Sequence, residues 1–197
     1  AVGTLAASNY SFTYTAGSLV VNKANLTITA DVDSKVYGAT TTVSGVAYVG
    51  GVATGATAGF TNAGLVNGDT LSSVTLTSLG GNATANVVDG PFTITPSAAA
   101  GSTRSTSSNY TITYVAANNG LTVTPKQVSF TGSATKVYDG TTALSGVSVS
   151  TGVGSETLLL SNATANSADV GSGNFISAGT LVNGTGANGG LASNYSL

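Results

Sequence analysis

One seven-residue word occurs twice. Lys136-Val137-Tyr138-Asp139-Gly140-Thr141-Thr142 has a near-copy at Lys35-Val36-Tyr37-Gly38-Ala39-Thr40-Thr41. A second word precedes each copy: Ser8-Asn9-Tyr10-Ser11-Phe12-Thr13-Tyr14 before the first, Ser108-Asn109-Tyr110-Thr111-Ile112-Thr113-Tyr114 before the second. Tyr10 lies 27 residues before Tyr37, and Tyr110 lies 28 before Tyr138. Two unrelated words in one order at nearly the same spacing mark an internal duplication. Ser193-Asn194-Tyr195 repeats the second word's opening once more, as in a piece cut from a tandem array. With 197 residues to divide, the duplication favours two units of roughly 85–100 residues each.

Only 6% of residues are charged while 41% are apolar, the opposite of a disordered chain, so the 27 glycines belong to a folded protein. Five Lys plus Arg, scattered singly, make no basic patch for nucleic acid or anionic lipid. No apolar run approaches the ~20 residues of a membrane span. No signal peptide opens the sequence, whose first residue is not a native start. His and Cys are absent, which removes the usual zinc and copper ligands and the commonest nucleophiles and bases. Without Cys, redox compartment leaves no trace. The balance favours a Thr-rich, secreted surface protein.

Alternation of apolar residues with Thr runs through the chain and predicts an all-β fold. Strands are expected at Asn9–Thr15, Ser18–Asn22, Asn25–Ala30 (Leu26 and Ile28 inward), Thr41–Val49 and Ser73–Leu79. Phe92–Thr95, bracketed by Pro91 and Pro96, suits an edge strand. Residues 50–68 read as loop, Asn67–Thr70 as a turn with Asp69 able to cap one helical turn, and 97–107 as a hairpin or crossover. Tyr110–Tyr114 and Leu121–Pro125 close the first unit. Strands near Val128–Thr131, Ala143–Ser150, Glu156–Ser161 and Asn174–Val182 build the second. The expected division is a terminal strand pair at 1–25, a module at 26–125 and a module at 126–197, each sandwich-like with at most a short helical turn.

The words Lys136-Val-Tyr-Asp-Gly-Thr-Thr142 and Gly190-Leu-Ala-Ser-Asn-Tyr-Ser196 resemble the YDG repeat module. Leu26-Thr-Ile-Thr-Ala30, Lys35-Val-Tyr-Gly38, Gly64–Thr70, Asn109–Tyr114 and Leu121-Thr-Val-Thr-Pro125 resemble the related MBG module, mostly-β and glycine-rich. The resemblance covers nearly the whole chain and departs from the pattern at Gly38, where the second copy has Asp139. It implies tandem modules of very large bacterial exoproteins similar to filamentous-haemagglutinin-type and fibrillar adhesins. A structural role at the cell surface or in a biofilm fibre follows from it, with no catalysis.

The second module stops before a Leu-Thr-Val-Thr-Pro ending, and the sequence opens on such a strand pair without a body before it. Residues 8–22, with Tyr10, Phe12, Tyr14, Leu19 and Val21 as the apolar positions, could therefore be donated as a strand to another copy. Open sheet edges accept strands, and a heterologous head-to-tail contact does not close. The favoured reading is an arbitrary cut with one loose strand and one frayed edge.

Lys35 and Lys136 hold one position before Tyr37 and Tyr138, so one job is expected of both. An isopeptide bond or a ligand-binding cation is weighed against a stem packed over Tyr with a wet ammonium, and the last is favoured. Asp31 and Asp33 offer Ca²⁺ two carboxylates where it needs six to eight oxygens, a weak site at best, so no cofactor is expected. Asp139 before Gly140 is expected to cap a turn. Seven acids over the whole chain assemble no catalytic pair. Thr-x-Thr pairs such as Thr27/Thr29 and Thr122/Thr124 suit the solvent face of strands better than an ice or glycan array. Asn-x-Ser/Thr occurs at Asn9, Asn25, Asn82, Asn109, Asn162, Asn183 and Asn194, as expected where Ser and Thr are common. The alternative function is a carbohydrate-binding module, which requires a concave aromatic patch. Expected partners are neighbouring modules, other copies of the chain, or host and matrix glycans.

Overall fold

The structure, a computed structural model, describes residues 8–13, 15–40, 46–47, 59–101, 106–129 and 134–197. Tyr14, most of Thr41–Val49, the greater part of 50–68, 102–105 and Phe130–Thr131 lie outside that set. The described chain is all-β, in two successive repeats.

The first repeat contains β1 (Ala24–Ala30), β2 (Asp33–Val36), β3 (Val46–Ala47), β4 (Phe60–Ala63), β5 (Leu71–Thr77), β6 (Phe92–Gly101), β7 (Tyr110–Val115) and β8 (Ala117–Thr124). β1 lies between β4, antiparallel, and β7, parallel, in one sheet. The other sheet runs β2-β8-β6-β5-β3. Alternation on β1 puts Leu26, Ile28 and Ala30 on the inner face. They meet Phe60, Val74, Leu76, Ile94, Tyr110 and Leu121, so both sheets share one core.

The second repeat contains β9 (Lys126–Gln127), β10 (Ala143–Leu144), β11 (Ser148–Ser150), β12 (Thr157–Ala165), β13 (Ile176–Val182) and β14 (Tyr195–Ser196). β12 is its spine, pairing β10 and β11 along one edge and β13 along the other. Its core holds Val147, Val149, Leu158, Leu160 and Ala163. β14 pairs β9 in parallel through Tyr195↔Lys126 and Ser196↔Gln127. These are the first two rungs of a ladder that β7 and β1 build with six, from Tyr110↔Ala24 to Val115↔Thr29.

Several expectations change. Residues 8–13 and 15–22 form no strand, and Tyr10, Leu19, Val20 and Val21 are exposed. The reason is edge availability: β4 and β7 already flank β1, while β2 and β6 flank β8. Phe92–Thr95 belongs to an interior strand. Pro96 is tolerated there because the β8 ladder ends at Ile94↔Ala117, two residues earlier. Residues 97–101 continue β6, where Ser and Ala fill a ladder with β5. Phe60–Ala63, read as loop, is a strand beside β1. Asn67-Gly68 is a turn, Asn67 at φ 55, with no helical turn at Asp69. Val128 and Ser129 are not in a strand. Tyr195 and Ser196, in the Ser-Asn-Tyr word near the end, form a two-residue strand.

Candidate functional site at the joint between repeats

Tyr37 follows β2, so the end of that strand determines where its ring goes. Its backbone N–H donates to the Thr124 carbonyl at 2.9 Å, and the Gly38 N–H donates to Ala83 at 3.1 Å. Gly38 sits at φ +83, and a Cβ there would run into a Val153 methyl of the second repeat. This turn carries Tyr37 out of its own repeat and into the next, where it is 4% exposed within the second core.

There Tyr37 and Tyr195 donate to the two oxygens of one carboxylate. Tyr37 Oη lies 2.9 Å from Glu156 Oε1, and Tyr195 Oη lies 2.7 Å from Oε2. The rings meet edge to face, centroids 5.3 Å apart at 76°. Burial raises both phenol pKa values, and the Glu156 charge adds to the shift, so both hydroxyls stay protonated as donors. Val123 of β8 packs in the same cluster, with Ala85, Val87 and Phe92 against its edge. The second core is therefore closed partly by the first repeat.

Asn194 is the other half of the joint. Fully buried, it accepts from the Val87 N–H at 2.9 Å and donates Nδ2 to Asn86 Oδ1 at 2.9 Å. Asn86 is itself oriented by donating to Asp89. Asn194→Ala leaves the Val87 N–H and the Asn86 oxygen without that partner and is expected to cost about 1–3 kcal/mol. Urea denaturation measures it, with exposed Asn109→Ala expected within about 0.5 kcal/mol of the parent. The same burial keeps Asn194, one of seven Asn-x-Ser/Thr positions, from modification in the folded chain.

Both lysines donate to main-chain carbonyls of the segment that follows them, Lys35 from a buried position and Lys136 from an exposed one. Lys35 is 7% exposed and donates Nζ to the main-chain carbonyls of Ala39 and Asn82, and burial lowers its pKa. Carbonyls replace its hydration shell because stem and head are buried together. Lys136 donates to Thr141 O and Oγ1 and to Ala143 O, and pairs with Asp139 at 2.8 Å. Asp139 caps the turn, accepting from the Thr141 N–H at 2.9 Å, with Gly140 at φ +74. Lys136, then the Thr141 N–H and hydroxyl, hold its carboxyl at about 2. Because the folded pKa is below the ordinary value, the cap is intact above about pH 4 and is lost as pH falls towards 2. Titration of the Asp139 carboxyl by NMR is expected to show that midpoint, and Lys136→Met to return it towards the ordinary value.

Other singled-out residues lie elsewhere. Tyr110 is buried and donates to Asp69 at 2.8 Å, as Tyr195 does to Glu156. Asn9, Tyr10, Phe12, Leu19, Val21 and Tyr138 are exposed. Asp31 and Asp33 flank the start of β2, where Asp33 accepts from the Ser34 N–H. Among the described residues no three acidic side chains gather as metal ligands. Glu156, Asn86, Val87 and Val153 were not singled out in the sequence. The signal for Glu156 is a recurring acid-Thr-Leu, Asp69-Thr70-Leu71 and Glu156-Thr157-Leu158, whose acid meets the Tyr of Ser-Asn-Tyr both times.

Fold and joint together define a tandem of glycine-rich β repeats. Residues 26–122 match the family model of the MBG domain (YGX type), and residues 124–197 match that of the YDG domain. The chain is an MBG domain followed by a YDG domain. No curated protein and no solved structure matches it.

Proposed function

We propose that the chain is a structural stalk segment of a secreted bacterial surface adhesin or extracellular fibre, with no catalytic role. One observation carries this reading: the YDG core is completed by Tyr37 and Val123 of the MBG domain, and Glu156 is shared across the boundary. A linker between independent beads needs no such sharing. A stalk does, because bending and tension must pass from domain to domain. The finer form of the proposal is head-to-tail growth, with residues 8–22 of one copy adding to a sheet edge of another.

Single-molecule stretching tests the mechanical reading. Two unfolding steps at loads typical of β domains support it, and a chain that extends smoothly without a step rejects it. A carbohydrate-binding reading draws on Tyr138 and Phe175, which line one groove of the YDG domain. A glycan array without a hit removes it.

A further inference from the structure

We propose that Asn67-Gly68 is a self-modification site: the Gly68 main-chain nitrogen attacks the Asn67 side-chain amide, and the rearranged turn loosens its hold on Tyr110. The turn has a twin in the YDG domain. The Asp69 N–H donates to the Val66 carbonyl at 3.0 Å, and the Glu156 N–H donates to the Val153 carbonyl at 3.0 Å. Both turns place a left-handed residue directly after the valine, Asn67 at φ 55 in one and Gly154 at φ 53 in the other. Glycine adopts that conformation freely, and asparagine is among the few side chains that tolerate it. One domain therefore carries a side-chain amide where the other carries none.

An asparagine before glycine is open to cyclisation, because no side chain shields the nitrogen that follows. The Gly68 nitrogen bonds to Asn67 Cγ, the Cγ–Nδ2 bond breaks, and the amide leaves as ammonia with the proton that Gly68 gives up. Water then opens the five-membered imide at either carbonyl, giving aspartate or isoaspartate. Isoaspartate adds one carbon to the main chain.

Four Asn-Gly pairs occur, at Asn67, Asn119, Asn183 and Asn188. The Gly184 N–H donates to the Gly190 carbonyl at 2.9 Å, and Asn183 Oδ1 accepts from the Ala192 N–H at 2.8 Å. The Gly189 N–H donates to the Gly186 carbonyl at 3.1 Å, and Gly120 is buried within β8. Asn67 and Gly68 are both exposed, and no atom lies within 4 Å of a Cβ placed on Gly68. Among the described residues no group accepts from the Gly68 N–H. A committed N–H must be freed before its nitrogen attacks, and only at Gly68 is that step already complete.

Both ends of the turn grip one phenol. The Val66 N–H donates to Tyr110 Oη at 3.1 Å, and Tyr110 donates to Asp69 Oδ2 at 2.8 Å. Tyr110 is 3% exposed, opens β7 and pairs with Ala24 of β1. One more carbon between Val66 and Asp69 moves the two apart, so a contact with Tyr110 is lost. The Glu156 turn has no such amide, so the change acts on the MBG domain alone.

The parent chain is held at mildly alkaline pH and body temperature and mapped by mass spectrometry, with fragmentation that separates isoaspartate from aspartate. Isoaspartate is expected at residue 67 about tenfold faster than at 183 or 188, the factor that one committed hydrogen bond supplies. The treated chain is expected to melt below the fresh one and to lose hydrogen-exchange protection in β1 and β7 but not in β12. Asn67→Gly, which copies the YDG turn, is expected to keep its fresh melt through the same treatment. Asn67→Asp, charged without the added carbon, is expected to melt with the fresh parent. Equal rates at the three pairs, or a faster one at 183 or 188, overturn the site. A chain modified at residue 67 that melts and exchanges like the fresh one overturns the effect on Tyr110, as does Asn67→Asp melting as low as the treated chain.

Discussion

Tyr37→Ala is expected to destabilise the YDG domain more than the MBG domain that contains the residue. The ring is almost fully buried in the second core, stacked edge to face on Tyr195 and bonded to Glu156. Truncating a buried aromatic costs about 3–5 kcal/mol through lost transfer energy and the cavity left behind. Burial also leaves one Glu156 oxygen without its donor, which adds to the penalty. For a chain of this size a loss of about 3 kcal/mol lowers Tm by about 6–12 °C. Tyr138→Ala, at the same place in the repeat but exposed, is expected to melt with the parent. Hydrogen exchange locates the effect: protection should fall in β12 and β13 and persist in β1 and β7.

Leu158→Ala is expected to cost about 2–5 kcal/mol, since the side chain is fully buried at the centre of the YDG core. For a domain of this length that is a large share of a total stability of about 5–15 kcal/mol. Its reach is the informative part. Tyr37 and Val123 pack in the same cluster as Leu158, so losing the YDG fold bares apolar surface on the MBG domain. The MBG core around Leu26, Ile28, Leu76 and Ile94 does not draw on the YDG domain and should hold. Differential scanning calorimetry is expected to resolve two transitions in this variant, the lower one belonging to the YDG domain.

Much of the fold was legible because both repeated words have structural jobs. Alternation on Leu26-Thr-Ile-Thr-Ala30 identified β1 and its buried face correctly. The Lys-Val-Tyr word ends a strand and turns at Gly38, as its residues imply. Residues 97–101 misled because Ser, Ala and Gly carry little strand preference, and their place in β6 comes from pairing with β5. The reverse error occurred at 8–22, where good strand residues find β1 and β8 already paired on both sides. Propensity proposes a strand, and a neighbouring ladder decides.

The joint was half visible. Recurrence singled out Tyr37, Asn194 and Tyr195, but equal recurrence at Tyr138, Asn109 and Tyr110 conceals that their surroundings differ. Tyr37 is buried in the core of the second repeat, while Tyr138 is exposed. Glu156 passed unnoticed since one acid in a turn carries no spacing signal until compared with Asp69. A side chain whose partner lies 119 residues away is found by topology.

The central claim, that a shared carboxylate couples the two domains, is tested most directly by a double-mutant cycle on Tyr37→Phe and Glu156→Gln. Both changes keep side-chain volume and alter the hydrogen bond across the boundary. Unfolding free energies of the parent, the two single variants and the double variant are measured in urea. Coupling predicts non-additivity of about 0.5–3 kcal/mol, the double variant losing less than the sum of the singles. Additivity within about 0.3 kcal/mol would contradict it, and the domains would then be neighbours on one chain without a working joint.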